Sequence, residues 1–436
     1  MTRKEIDIIF DPKYGLAKSE FRLGRQFGAP NFFFEYAVSI DSQKLGNEIE
    51  NIRTSGGASP NGAMGAKVKA TGELMERYCS GIFHSEDFRF EAYDDAPDEK
   101  AHPDLFSFYA KVQTEQAGFY YDFFDTKAKI NWAKSYDIFN QAFRWVPAST
   151  VFVPYEFNKA KGEAKINQSI STGLACHSDF FKCYNKCIME VLERDAYCTY
   201  WQLGLSPLLI EAKGLPSKSQ QMLDAFQQYG CEVQLYLLET DVGVPVIQAS
   251  LINYHPARAP YALSCACHWD IDLAIEGALE ELAHTYMYLE NIHGTDYKPI
   301  ESPADVTLSL DHLVYWSDQR RLPQMNHILQ TPRRVTYSDL HRQTFSSQKE
   351  LNQILLRQLK EAGVHVFFND LTTPDIRSLG FWVLRVIIPE CQPLAMGHKY
   401  RYLKCQRMWQ RAEKEGLYES AGLQLYQDIN LPHGFP

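Results

Sequence analysis

A nine-residue pattern, K-x-x-x-E-x-x-E-R, occurs twice in this chain. It appears as Lys69, Glu73, Glu76 and Arg77, and again as Lys186, Glu190, Glu193 and Arg194, at an offset of 117 residues (190 − 73). On a helix, residues three and four apart are neighbours. Lys69, Glu73 and Glu76 therefore share one face, as do Lys186, Glu190 and Glu193. The other face is apolar in both copies: Met64, Val68 and Met75 in the first, Tyr184, Ile188 and Leu192 in the second. One copy alone is an ordinary solvated face, with an ion pair contributing roughly 0.3–0.5 kcal/mol. Two copies are not, since a chain of this length should contain E-x-x-E-R on the order of 0.1 times. Each copy also follows a glycine-containing stretch, Ser55-Gly56-Gly57-Ala58-Ser59-Pro60-Asn61-Gly62 or Ser171-Thr172-Gly173, and both stretches read as breakers.

Paired carboxylates repel unless a cation lies between them. Four of them on two facing helices make a site for a hard divalent cation. Mg²⁺ takes oxygen ligands, often one or two carboxylates plus substrate phosphates. Glycine-containing turns offer backbone N–H groups to phosphate. The repeat thus predicts a Mg²⁺–nucleotide site with Glu73, Glu76, Glu190 and Glu193 as metal ligands. The chain has no G-x-x-x-x-G-K-[ST] loop and no kinase signature, so the expected ATP architecture is a different one.

The rest of the chain suits this reading. Its 436 residues are 45% hydrophobic and 13% aromatic, enough for a large core and against global disorder. Asp plus Glu is 54 against 44 for Lys plus Arg, which argues against a nucleic-acid coat. The opening MTRKEIDIIF lacks the apolar core of a signal peptide. The run FWVLRVIIP at 381–389 holds an arginine and is too short to span a bilayer. Ten scattered cysteines fit a cytoplasmic protein with reduced thiols. Cys265-Ala-Cys267-His268 could bind a metal, but it lies in an alternating apolar stretch and reads as a strand with buried thiols. Strands are expected at 146–155, 232–238, 244–254, 364–369 and 381–388. Helices are expected at 180–202, 272–290 and 351–362. Their alternation indicates an α/β fold. The chain reads as a single unit, 1–436. It has N-terminal strands in 1–50, the two repeated helices in 51–205, a strand/helix segment in 206–300 and a C-terminal segment in 301–436.

At these motifs the sequence resembles the YcaO family, in particular the cyclodehydratases that form azolines in ribosomally made peptides. GAKVKATGELMERYCSG resembles the family's first E-x-x-E-R helix. Ser171-Thr172-Gly173-Leu174-Ala175, followed by IMEVLERDAYCTYW, resembles its S-N-G-x-A…E-x-x-E-R-D-A segment. Residues 274–282 resemble the A-L-x-E-L helix, 384–389 a strand ending in Pro-Gly, 10–16 the start of that branch, and LPHGFP the proline-rich tail. The resemblance implies mixed sheets and two related strand–turn–helix halves of an ATP site. It implies ATP and Mg²⁺ as cofactors and an ATP-dependent conversion of Cys, Ser or Thr to thiazoline or oxazoline. Glu73, Glu76, Glu190, Glu193, Ser171, Lys69, Lys186, Glu281, His284 and Arg401 are then the expected nucleotide-site residues. Arg77 and Arg194 either pair with the carboxylates or face phosphate. Pro436 would bring its carboxylate to the reaction as orienter or base. The alternatives are a thioamide-forming or accessory member and a non-catalytic scaffold.

Three departures bear on the site. The first glycine stretch lacks the family's Lys, and the first Lys after it is Lys67. His284 stands where the family has Gln. Gly434 replaces the middle proline of the tail, which predicts a less stiff tail. The implied partners are a ribosomally made precursor peptide, a leader-binding subunit related to ubiquitin-activating enzymes, and a flavin dehydrogenase of the same complex. Neither nucleic acid nor a membrane is expected.

Overall fold

The repeat begins each time with a strand, which sets the architecture. The computed structural model describes residues 3–23, 33–40, 54–293, 298–340, 343–417 and 431–435. Its first sheet is an antiparallel meander of β1 (Ala17–Leu23), β2 (Phe34–Ile40) and β3 (Thr54–Ser59). β3 leads into helix α1 (Ala63–Ser80). The second sheet has β4 (Arg89–Glu91), β5 (Ile130–Asp137) and β6 (Ala142–Pro147). It also has β7 (Leu174–His177), β13 (Phe367–Asp370) and β14 (Trp382–Ile387). Its order is β4-β5-β13-β14-β7, with β6 paired to β5. β7 leads into helix α2 (Phe180–Leu203). The third sheet has order β11-β10-β9-β8-β12. Its strands are β8 (Leu208–Glu211), β9 (Cys231–Leu238), β10 (Val246–Asn253), β11 (Tyr261–Cys267) and β12 (Arg334–Thr336). β12 runs parallel to β8. The other longer helices are α3 (Ser217–Gln227), α4 (Ile271–His293), α5 (Gln348–Glu361) and α6 (Gln406–Lys414).

α2 is the central helix. Ile188, Leu192, Tyr197 and Trp201 are buried against strands of the second and third sheets. Burying each such side chain contributes roughly 1.5–3 kcal/mol. The Cys183 and Cys187 thiols donate to the carbonyls of Ala175 and Leu384, at 3.1 and 3.2 Å. Asp179 caps the helix start by accepting from the Lys182 N–H at 2.7 Å, and Gly204 in the left-handed region ends it.

Several expectations hold. The helix expected at 180–202 is α2, those at 272–290 and 351–362 are α4 and α5, and Cys265 and Cys267 are buried thiols on β11. Others need correction. The stretch from Ser55 to Ser59 is strand, not breaker. Its glycines serve approach rather than turning: a Cβ on Gly57 would lie 2.6 Å from the Ala66 carbonyl of α1. The buried face of α1 is accordingly lined by small residues, Ala66 and Ala70, with Leu74, whereas Met64 is exposed. The segment expected as a strand at 146–155 leaves β6 at Pro147 and forms a short helical turn, Ala148–Val151. Prolines at both ends withhold the N–H groups a strand would need.

Candidate active site

The two repeats build the same local structure. The Gly56 N–H donates to Glu73 at 2.9 Å, and the Gly173 N–H donates to Glu190 at 3.3 Å. Arg77 pairs with Glu73 at 2.5 Å and Arg194 with Glu190 at 2.9 Å, each one helical turn on. Every residue of one set lies 117 positions (190 − 73) from its counterpart. Glycine is tightly enclosed at both anchors, and backbone requires it at Gly173. A Cβ on Gly56 would lie 2.8 Å from the His284 ring. Gly173 has φ of +85°, and its Cβ would lie 2.3 Å from the Val386 carbonyl.

The carboxylates converge from both helices. Burial pushes Glu76 well above the usual carboxylate range, and the like charges of Glu190 and Glu73 push it further. Burial also raises Glu190, against the opposing charges of Arg194 and Arg385. Glu193 is pushed up to about 8, by burial first, with Glu190 and Glu281 adding to it and Arg194 opposing. It also accepts from the Cys267 N–H at the end of β11, at 3.1 Å. The acidic line thus runs from Glu73 and Glu76 on α1, through Glu190 and Glu193 on α2, to Glu281 on α4. Of these, Glu76, Glu190 and Glu193 hold their charge at a cost that a cation would remove. Among the described residues no three His, Cys, Asp or Glu side chains form a metal-binding group by themselves. The donor set of the line is all oxygen, which fits Mg²⁺.

The other expected residues divide. His284 packs beside Gly56 at the Glu73 end of the line. The Ser171 carbonyl accepts from the Leu174 N–H at 2.9 Å and closes the turn before β7. Lys186 is exposed, and its charge acts on both Glu76 and Glu190. Lys69 instead pairs with Glu280 on α4, and Lys67 with Glu20 while lying 3.9 Å from the Phe10 ring. Arg77 and Arg194 pair with carboxylates. The Arg401 carbonyl accepts from the Gln113 amide at 2.8 Å. Pro436 lies outside the described residues.

The tail is threaded through the interior. The Trp201 and Trp316 indoles donate to the carbonyls of Leu431 and Pro432, at 3.1 and 2.9 Å. The Phe435 ring lies 5.0 Å from that of Tyr197, and the Arg194 guanidinium 5.8 Å from Phe435. Gly434 does not loosen this path. Its N–H donates to the Tyr197 hydroxyl at 2.9 Å, which proline could not do, and a Cβ there would lie 2.8 Å from Leu263. Sequence reasoning also missed Arg385. It is buried on β14, with its charge facing Glu190 and Glu76. The available signal was an arginine inside an otherwise apolar strand.

The sequence profile described as YcaO cyclodehydratase, ATP- and Mg²⁺-binding, matches residues 61–392. The chain belongs to the YcaO family. As a member, it is an ATP- and Mg²⁺-binding protein. An uncharacterized protein of Methanothermobacter thermautotrophicus is 27% identical over 271 residues, 61% of this chain and 66% of that one. A heterocyclase in complex with substrate and cofactor shares the fold with a TM-score of 0.76 at 18% identity, over 97% of this chain. The match spans only 55% of that heterocyclase. YcaO from Methanopyrus kandleri, bound with AMPPCP and Mg²⁺, matches with a TM-score of 0.63 at 19% identity, over 86% of each chain. The E. coli microcin synthetase McbBCD complex with pro-MccB17 bound matches at 0.59 and 14% identity, over 85% of this chain and 87% of that one. At these identities the likeness is one of fold. Among the described residues no helix is long and apolar enough to cross a membrane.

Proposed function

We propose that the protein is an ATP-dependent cyclodehydratase that converts Cys, Ser or Thr of a ribosomal precursor peptide to thiazoline or oxazoline. The observation that carries this reading is the convergence of Glu73, Glu76 and Glu190 from two helices, with the tail reaching Arg194 beside them. In this reaction the peptide's thiol or hydroxyl attacks the preceding amide carbonyl. The resulting oxyanion takes the γ-phosphoryl group, and phosphate departs with that oxygen as the ring forms. An amide oxygen leaves poorly until it is phosphorylated. The protein's task is therefore positioning and charge neutralisation.

Glu73, Glu76, Glu190 and Glu193 would hold Mg²⁺, which supplies charge neutralisation for phosphate. Arg77 and Arg194 fix the orientation of Glu73 and Glu190 through one-turn ion pairs. Lys186 and Arg385 supply positive charge in place of the absent glycine-turn lysine. Thr172, which accepts from Arg194 at 2.9 Å, holds that guanidinium in place. Leader recognition falls to a partner subunit that tethers the precursor and raises its effective concentration.

The test is reconstitution. The chain, with ATP, Mg²⁺ and precursor, is expected to remove one water per ring, followed by mass spectrometry, and faster when the leader-binding subunit is added. ATP turnover without dehydration, in the presence of that subunit, would overturn the ring-forming reading and leave the nucleotide site standing.

A further inference from the structure

A groove of about 670 Å³ lies beside residues 155–169. That volume is in the range of ligand pockets, roughly 300–1,000 Å³. Its walls are aromatic: Tyr120, Tyr121, Tyr155 and Phe157. Two of these rings are fixed from behind. Tyr121 stacks on Tyr109 at 4.9 Å, and the Tyr155 hydroxyl donates to Glu163 at 2.7 Å. Tyr120 is 53% exposed, with the Lys165 ammonium 3.8 Å from the centre of its ring. The charged side chains on the groove, Glu156, Lys159 and Lys165, nearly cancel.

The groove adjoins the candidate active site. Asn167 lines it and also lines a second cavity, of about 70 Å³, whose wall includes Thr172 and Arg385. Thr172 accepts from Arg194, and the Arg385 charge faces Glu190. The chain itself bounds the distance. Ser169 lines the groove, and four residues on, the Gly173 N–H donates to Glu190. Four residues reach at most about 14 Å when fully extended, so an extended peptide covers the same gap in about four residues. The smaller cavity is walled by Phe106, Phe108 and Ile388, which suits small neutral groups better than a charged diphosphate. We propose that the groove seats the segment of the peptide substrate that lies about four residues from the reacting Cys, Ser or Thr. Aromatic contact, rather than charge, holds it there. Tyrosine rings give large contact area at low entropic cost, which suits a peptide read for its shape. The inference rests on the peptide-modifying reading above and adds where the peptide lies.

The probes are synthetic glycine peptides with a central Ser and a photoreactive benzoylphenylalanine four residues before or after it. The full chain is irradiated with each, with Mg²⁺ and with or without a non-hydrolysable ATP analogue, and adducts are mapped by mass spectrometry. At least one probe is expected to label Tyr120, Tyr121 or Phe157 in the presence of the analogue. Adducts only outside the groove would overturn the proposal. So would groove labelling that the analogue abolishes, which would give the groove to nucleotide. In the reconstituted complex, Tyr120→Ala removes an exposed ring and is expected to raise KM for the precursor about fivefold. Its affinity for the ATP analogue should match that of the parent. A parental KM in both Tyr120→Ala and Phe157→Ala would also overturn the proposal. A parent that is labelled in the groove yet forms no ring would count against the ring-forming reading and for the peptide groove.

Discussion

Glu76 concentrates the electrostatics of the site in one side chain. It has lost water and faces the like charges of Glu190 and Glu73, with the charges of Lys186, Arg77 and Arg385 opposing them. Without metal, its ionised form is therefore a burden on the fold. Glu76→Gln is expected to leave the ligand-free protein as stable as the parent or about 1 kcal/mol more stable. The same change should weaken Mg²⁺–nucleotide binding tenfold or more, as followed by calorimetry. A parent-like affinity would remove Glu76 from the ligand set. The two anchoring glycines give a contrast of their own. Gly173→Ala meets a rigid carbonyl at 2.3 Å in a left-handed conformation, and should cost about 2–3 kcal/mol in urea unfolding. Gly56→Ala meets only the His284 ring, which can move, and should cost less than half of that. Equal losses would refute this account of the pseudo-symmetry.

The tail is the element whose behaviour the structure changes most. Read as a motif, its Gly434 is a missing stiffener. In the fold that glycine fits a slot against Leu263 and supplies an N–H to Tyr197. Gly434→Pro, which restores the family pattern, is therefore expected to destabilise by about 2 kcal/mol, read by chemical denaturation. The same tail carries a pH dependence. The His433 ring stacks on His312 at 3.6 Å and lies near the Ala395 carbonyl at 2.7 Å. Burial first, and then the charge of Arg194, lower it to about 4 from its ordinary 6.5. The unfolded chain thus takes up this proton before the folded one does. The stability held by neutral His433 is complete above 6.5 and is lost as pH falls through 4, on the order of 3 kcal/mol in all. His433→Leu should flatten that acid limb in urea unfolding at pH 7 and pH 4. An unchanged limb would assign it to other groups.

For the molecule as a whole, the two halves couple ligand to stability. Glu193 is raised to about 8 from 4.5, so the folded state holds a proton that the unfolded state has released. The stability of the ligand-free protein should accordingly fall as pH rises from 4.5 through 8. Mg²⁺ with a non-hydrolysable ATP analogue is expected to cancel that slope. At a hundred times Kd it should add about 2.7 kcal/mol. Thermal melts across pH, with and without both ligands, check this. A shift from nucleotide in the absence of Mg²⁺ would argue against the carboxylate line as the metal seat.

Local periodicity was enough to find α1, α2 and the shared face of their carboxylates, because spacing on a helix is a property of sequence alone. The strand at Cys265 and Cys267 and the helices α4 and α5 were legible for the same reason. The glycines of β3 were misread because close approach and turning use the same residue, and only the helix packed on top tells them apart. Arg385 and the Gly434 slot were not legible at all. Their roles depend on partners such as Glu190 and Tyr197, which lie far away along the chain. Whether Lys69 serves nucleotide or pairs with Glu280 was likewise decided by where α4 lies. The sequence by itself determined which side chains share a helix face, since 3.6 residues per turn fixes that within a few residues. Only the tertiary structure decided which of those faces meet, and which carboxylates lose water where they do, because desolvation depends on what packs against them.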